Sequence, residues 1–271
     1  MITVMENKDF EHYLSQIVQP KNDSRKGENG RVLVIGGSRL FHAASYWAAC
    51  MSSKMVDMVH FSSPTMENNE LMRVRAKEGF WEGIVVPWGE VGHYIEEDDC
   101  ILIGPGMERG EETKQIVNML LKKYPDKRWV VDGGALQEVD PQLLNKNMIV
   151  TPNKREQDIL TDQVSSEVTV LAKGVKDVVS GHGKQVEIQG GSAGMTKGGT
   201  GDVLAGIVAG LYAKSDALSS CVVASQVNKL AGERLEKRAG IYFSASDLIG
   251  EVQQVLGDCL PGVSRKGISA R

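Results

Sequence analysis

Residues 31–38 read Arg-Val-Leu-Val-Ile-Gly-Gly-Ser. The continuous run Val-Leu-Val-Ile suits a strand buried on both faces, as in a parallel sheet, because a strand with one wet face would alternate apolar and polar residues. A glycine turn follows, then an amphipathic stretch over 43–54. The same grammar recurs along the chain. Candidate strands lie at 32–35, 55–61, 84–87, 100–103, 129–131, 148–150, 168–172, 177–180 and 185–188, with further helical patterns at 111–123 and 155–160. Strands alternating with helices imply right-handed crossovers, so the expected class is α/β, a three-layer α/β/α arrangement around a mostly parallel sheet. From residue 201 the pattern turns helical, over 202–212, 216–238 and 244–256, and Ser244 followed by Asp247 reads as an N-cap. No repeat or linker divides the chain, which reads as a single domain over 1–271 with residues 1–25 as an N-terminal arm. The apolar stripes on the last helices can pack internally or against another subunit.

Composition sets the bounds. The chain has 271 residues, 41% hydrophobic and 24% charged, with a net charge of −4 and a pI near 5.8. That balance disfavours a phosphate-neutralising surface, so the expected partner is a small molecule and not nucleic acid. Cys50, Cys100, Cys221 and Cys259 are scattered without a CxxC pair, as reduced thiols would be. The opening MITVMENKDF has neither a basic nor an apolar signal region, and no apolar run approaches the ~20 residues of a membrane span. A soluble, cytoplasmic protein without membrane partners is expected. The five histidines lack metal-ligand spacing, so no structural zinc is expected.

The strongest chemical signal is Gly198-Gly199-Thr200-Gly201-Asp202, running straight into the helical pattern Val203-Leu204-Ala205-Gly206-Ile207. Three glycines in four positions let backbone amides approach an anion, and the following helix aims its N-terminus at the same spot. Gly199 and Gly201 thus read as a cradle for phosphate or a developing oxyanion, and Asp202 as a base for a substrate hydroxyl. The plainer reading is a glycine turn with Asp202 as an N-cap. After Gly36-Gly37 the third glycine of GxGxxG is missing, which makes a dinucleotide-binding dehydrogenase improbable. Gly104-Pro105-Gly106, Asp132-Gly133-Gly134, Thr151-Pro152-Asn153 and Lys173-Gly174 also follow candidate strands. Each alone is most often a turn. Together, at one edge of a parallel sheet, they mark the place where α/β ligands bind. Asn153 and Glu156 can orient water around a magnesium ion, or Glu156 can simply favour the helix dipole.

Taken in order, these motifs resemble the ribokinase-like superfamily, and more narrowly the ADP/ATP-dependent NAD(P)H-hydrate dehydratase family. The resemblance spans roughly residues 26–256. It rests on KGENGRVLVIGGS at 26–38, IGPGM at 103–107, VDGGAL at 131–136, VTPNKRE at 150–156, LAKG at 171–174 and MTKGGTGDVLAGIVAGL at 195–211. It implies repair of hydrated NADH or NADPH, in which ADP or ATP with Mg2+ phosphorylates the ring hydroxyl and phosphate is then eliminated. It further implies that Asp202 activates the hydroxyl and that Gly201 lies beside the nucleotide and the oxyanion. Lys173, Gly174, Val175, Lys176 and Asp177 would contact the nucleotide, Ala44, Gly106, Asn153 and Asp202 the hydrated dinucleotide, and the assembly would be a homo-oligomer. Two departures touch the substrate contacts: the family usually has TPH where Thr151-Pro152-Asn153 stands, and Pro-Gly-Ala where His42-Ala43-Ala44 stands. Lys197 is also unusual and offers a further phosphate contact. A small-molecule kinase of the same superfamily would leave a stable phosphorylated product, and the spacing of Asn153 and Glu156 supports it. A non-catalytic nucleotide-binding regulatory module would not need Asp202.

Overall fold

A computed structural model describes residues 2–78, 82–160 and 164–259. The first half runs β1 (Thr3–Val4), α1 (Asn7–Ser15), β2 (Arg31–Ile35), α2 (His42–Ser52), β3 (Met58–Ser62), α3 (Met66–Glu78), β4 (Gly83–Val85), α4 (Val91–Glu97), β5 (Cys100–Ile103) and α5 (Glu111–Lys123). The second half runs β6 (Arg128–Val131), α6 (Gly133–Glu138), β7 (Met148–Val150), α7 (Lys154–Leu160), β8 (Thr169–Ala172), β9 (Asp177–Gly181) and β10 (Lys184–Ile188). Helices α8 (Thr200–Tyr212), α9 (Ala217–Ala239) and α10 (Ala245–Cys259) close it. The strands form one sheet in the order β1-β10-β9-β8-β7-β6-β5-β2-β3-β4. All neighbours are parallel except β9, which is antiparallel to both β8 and β10.

Two apolar clusters explain the unbroken apolar strands. On β2, Val32 and Val34 join the cluster under α2, α8, α9 and α10, while Leu33 and Ile35 join the one under α4 and α5. All four side chains are buried because helices cover both faces. The α/β/α layering expected from residues 31–38 is therefore what the chain adopts. Several strand limits differ from the sequence reading. The strand expected at 55–61 occupies Met58–Ser62, and the one expected at 84–87 is Gly83–Val85, stopping short of Pro87, whose ring nitrogen cannot donate to a ladder.

The N-terminal segment of the described residues is tied in. β1 pairs with β10 at the sheet edge, α1 packs against α9, and the Val18 N–H donates to Ser215 Oγ (3.0 Å). The stripes on the last helices pack internally: Leu218, Val222 and Ala224 of α9, with Leu248, Val252 and Val255 of α10, are buried in one cluster. Ser244 starts α10 with a capping box. Its N–H donates to Asp247 Oδ2 (2.8 Å), and its Oγ lies 3.4 Å from the Asp247 N–H. No helix among the described residues is long and apolar enough to cross a membrane. Residue 1 and residues 260–271, which belong to the single-domain expectation, lie outside the described residues.

Candidate active site

The chain leaves β2 toward β3 and β4 on one side and returns as β5 on the other, so the strand order reverses between β2 and β5. Such a reversal opens a crevice beyond the carboxyl ends of the strands. Here its walls are the turns after β2 and β5, joined by a hydrogen bond from the Gly37 N–H to the Pro105 carbonyl (2.8 Å). A cavity of about 540 Å³ lies against these turns, lined by Phe41, Ala44, Gly106, Arg109, Gln137 and Asp202 among others. Gly106 has φ +72°, and a Cβ there would sit 2.1 Å from the Phe41 carbonyl oxygen. Gly106→Ala is therefore expected to lower the melting temperature by the equivalent of about 1–3 kcal/mol, since the left-handed backbone and the clash both oppose it. The same variant should raise KM for whatever fills the cavity, measured by steady-state kinetics beside thermal melts.

The glycine loop ends in α8. Gly199 is its N-cap in a left-handed conformation (φ +95°), and a Cβ there would strike the Trp47 ring at 2.4 Å. The Thr200 hydroxyl points back at the Met195 and Lys197 carbonyls, at 2.6 and 2.9 Å, and holds the loop closed. First-turn N–H groups have no acceptor within a helix, so the α8 start presents amides and a positive dipole end to this side of the sheet. A second cavity, of about 640 Å³, borders it and is lined by Lys173, Gly174, Val175, Asp177, Thr200 and Gly201 together with residues of α9. Asp202, one residue beyond Gly201, lines the first cavity instead. The Gly201-Asp202 step is thus the boundary between the two spaces.

Charges cluster at that boundary. Asp132, at the end of β6, is buried and accepts from Thr151 Oγ1 (2.6 Å) and from Lys173 Nζ (2.7 Å) at its Oδ1. A Cβ on Gly201 would lie 3.5 Å from Lys173 Nζ, so the ammonium stands beside the α8 start. Burial and the charge of Asp132 push the Asp202 carboxyl up to about 7, against the pull of Lys173. Burial alone would lower the Lys173 ammonium, but Asp132, Glu156 and Asp202 outweigh it and raise it, so this lysine stays charged. Both groups are thus raised, and a carboxyl held at about 7 beside a charged lysine in a cleft makes this boundary the candidate site.

The structure brings most of the sequence candidates together and parts a few. Ala44, Gly106 and Asp202 share the first cavity. Lys173, Gly174, Val175, Asp177 and Gly201 share the second, where Asn153 also lies, away from Ala44 and Gly106. Lys176 turns outward to Glu187 (2.9 Å). Asn153 and Glu156 form a capping box at the start of α7: the Asn153 N–H donates to Glu156 Oε2 (2.8 Å), and Asn153 Oδ1 accepts from the N–H groups of Arg155 (2.9 Å) and Glu156 (3.2 Å). The other Glu156 oxygen accepts from Gln137 Nε2 (2.9 Å). Lys197 is committed to the Ile241 and Phe243 carbonyls and lies against the Phe243 ring, so it pins a turn. Sequence reasoning passed over Asp132, Thr151 and Gln137 as functional groups. The signal for Asp132 was its place directly after a buried strand, in a motif already quoted for its glycines.

A profile of the NAD(P)H-hydrate dehydratase family matches residues 32–254. The chain is 33% identical to the ADP-dependent (S)-NAD(P)H-hydrate dehydratase of Nitrosopumilus maritimus, over 87% of this chain and 91% of that one. It is 32% identical to the bifunctional NAD(P)H-hydrate repair enzyme of Methanocaldococcus jannaschii, over 87% of this chain, and spans only half of that protein's length. Among solved structures it superposes on a ribokinase-like superfamily protein of Enterococcus faecalis with a TM-score of 0.79, at 23% identity and 95% and 96% coverage. The Bacillus subtilis ADP/ATP-dependent NAD(P)H-hydrate dehydratase, co-crystallised with ATP and Mg2+, gives 0.77 at 20% identity, covering 93% of this chain and 97% of that one. These two likenesses establish the ribokinase-like fold, and the sequence matches establish the kinship: the chain belongs to the NAD(P)H-hydrate dehydratase family.

Proposed function

We propose that this chain repairs hydrated NADH or NADPH with ADP as phosphoryl donor, the nucleotide entering the cavity at Lys173 and the hydrated dinucleotide the cavity at Ala44 and Gly106. The observation that carries this reading is the Gly201-Asp202 step, which sets a carboxylate facing one space and helix amides facing the other. Donor and acceptor would meet across it. The relatives named ADP-dependent support the choice of donor.

Asp202 accepts the proton of the ring hydroxyl, and that oxygen attacks the terminal phosphorus of the donor. The bond from phosphorus to the bridging oxygen breaks, and AMP leaves. The α8 amides and Lys173 hold the negative charge that gathers on the transferring group. The new ester then loses phosphate, which departs with the electron pair of the carbon–oxygen bond. A proton leaves the neighbouring ring carbon, and the double bond of the reduced nicotinamide returns. The sum is hydrate plus ADP giving NAD(P)H, AMP and phosphate.

No group of three or more His, Cys, Asp or Glu residues suited to a metal occurs among the described residues. A magnesium ion bound with the nucleotide would neutralise phosphate charge. Glu156 would reach it through water with the lone pairs its two protein hydrogen bonds leave over.

The test is recovery of absorbance at 340 nm when hydrated NADH is mixed with protein, magnesium and either ADP or ATP. Nucleotide-dependent recovery is expected, faster with ADP. A phosphorylated product that accumulates without recovery would instead identify a kinase. The pH profile offers a second check. A base must be ionised to work, and Asp202 sits at about 7, so kcat/KM should fall with unit slope as pH drops through about 7 and level off above it.

A further inference from the structure

A buried lysine on α9 holds two rims of the nucleotide-side cavity at once. The β9–β10 ladder ends at the pair Asp177–Ile188. The residues just outside it, 174–175 before β9 and 190–191 after β10, line the cavity and are held from α9 instead. Lys229 is only 5% exposed. Its Nζ reaches the carbonyls of Val175 (3.1 Å), Gly174 (3.4 Å) and Gly190 (3.4 Å), and lies 3.4 Å from Asp177 Oδ1. Ser225 and Glu233 stand one turn away on either side, on the same face of the helix. Ser225 Oγ donates to Asp177 Oδ2 (2.7 Å), and Glu233 accepts from the Gly191 N–H (2.9 Å). Asp177 Oδ1 also accepts from the Gly174 N–H (2.9 Å).

Burying a cation is unfavourable unless it is paired and hydrogen-bonded, and a leucine at this position would carry no such cost. What the ammonium does, and a leucine could not, is to bind two separate stretches of backbone at one point. Its three protons face four protein oxygens, so none is left over for a ligand. Gly190 and Gly191 are both left-handed, at φ +101° and φ +94°, so the stretch leaving β10 turns on the two residues least able to stiffen it. We infer that Lys229 is a positioning residue for the nucleotide donor. It touches no substrate, and it fixes the separation of the two loops between which the nucleotide enters. Loops set in place before the ligand arrives bind it more tightly, because no binding energy is then spent on ordering them. This rests on the nucleotide assignment of the cavity made above.

The experiment compares Lys229→Met with wild type, by calorimetric binding of magnesium-loaded ADP and ATP and by steady-state kinetics on hydrated NADH. The variant should bind the nucleotide about tenfold more weakly, the cost of ordering loops that the lysine had held. Its kcat at saturating nucleotide and its KM for hydrated NADH should stay within about twofold, the pattern of a lost ground-state interaction. Lys229→Ala should lose the same affinity and regain most of it with n-propylammonium, which replaces the atoms removed. Sodium at the same concentration should restore nothing. Unchanged nucleotide affinity in both variants overturns the inference, and so does rescue by sodium as good as rescue by propylammonium. A fall in kcat with a rise in both KM values, or loss of the folded state in both variants, also overturns it, since Lys229 would then serve general stability. Wild type that binds neither nucleotide removes the assignment of the cavity itself, and the inference falls with it.

Discussion

Asp202→Asn is expected to lower kcat for hydrate dehydration by about 10²–10⁴-fold, the usual contribution of a general base, while making the unliganded protein more stable at alkaline pH. The two effects have one cause. Burial and Asp132 hold the Asp202 carboxyl at about 7, well above the ordinary 3.8, so the folded protein binds this proton more tightly than the unfolded chain does. The stability from that proton is complete below about pH 3.8 and is lost as pH rises through about 7. At pH 8 the wild type carries a buried charge that asparagine lacks, and removing it should be worth about 2 kcal/mol, or several degrees in melting temperature. At pH 4 the two proteins should melt together. Melts of both proteins at pH 4 and pH 8, beside single-turnover kinetics, check this. A variant that is inactive and less stable at pH 8 would mean that Asp202 is a structural N-terminal residue of α8.

Much of this architecture is legible in the sequence, for a physical reason. Where a strand is covered on both faces, as with Val32–Ile35 or Cys100–Ile103, the covering demands an unbroken apolar run, and no turn or helix surface needs one. Glycines at close approaches are equally visible, and they located the loops of both cavities. Elements held by few apolar residues escaped. α3 is mostly polar and buries Met72, and α1 reaches the core through Tyr13 and Leu14, too few positions to show a period. The site was half legible. The GGTGD loop fixes Asp202, but the partner that tunes it, Asp132, lies 70 residues earlier, and only the parallel order of β6, β7 and β8 brings Asp132, Thr151 and Lys173 to one point. The spacing of Asn153 and Glu156 suited both a water-mediated metal site and a helix start, and pattern alone does not separate these because both need oxygen acceptors three residues apart.

Lys173→Met should be nearly as damaging as loss of Asp202, and its signature should be electrostatic. The methionine keeps most of the stem but leaves Asp132 with only the Thr151 hydroxyl, beside Asp202 and Glu156. Removing one partner of a buried pair costs about 3–5 kcal/mol, and the cavity on one side of Lys173 trims this to about 2–3. With the counter-charge gone, Asp202 ionises at higher pH, so the acid limb of kcat/KM should move up by about one unit. Activity at pH 7 should fall by about 10²-fold or more, from the loss of both the ionised base and the cation that the proposed function sets against the phosphates. Asp132→Asn provides the opposite sign. It removes the like charge that raises Asp202 and should move the same limb down, even though it too disrupts the ion pair. General damage to the site would shift both variants the same way or neither. Opposite shifts, read from kcat/KM between pH 5 and 9, can come only from a charge balance acting on Asp202.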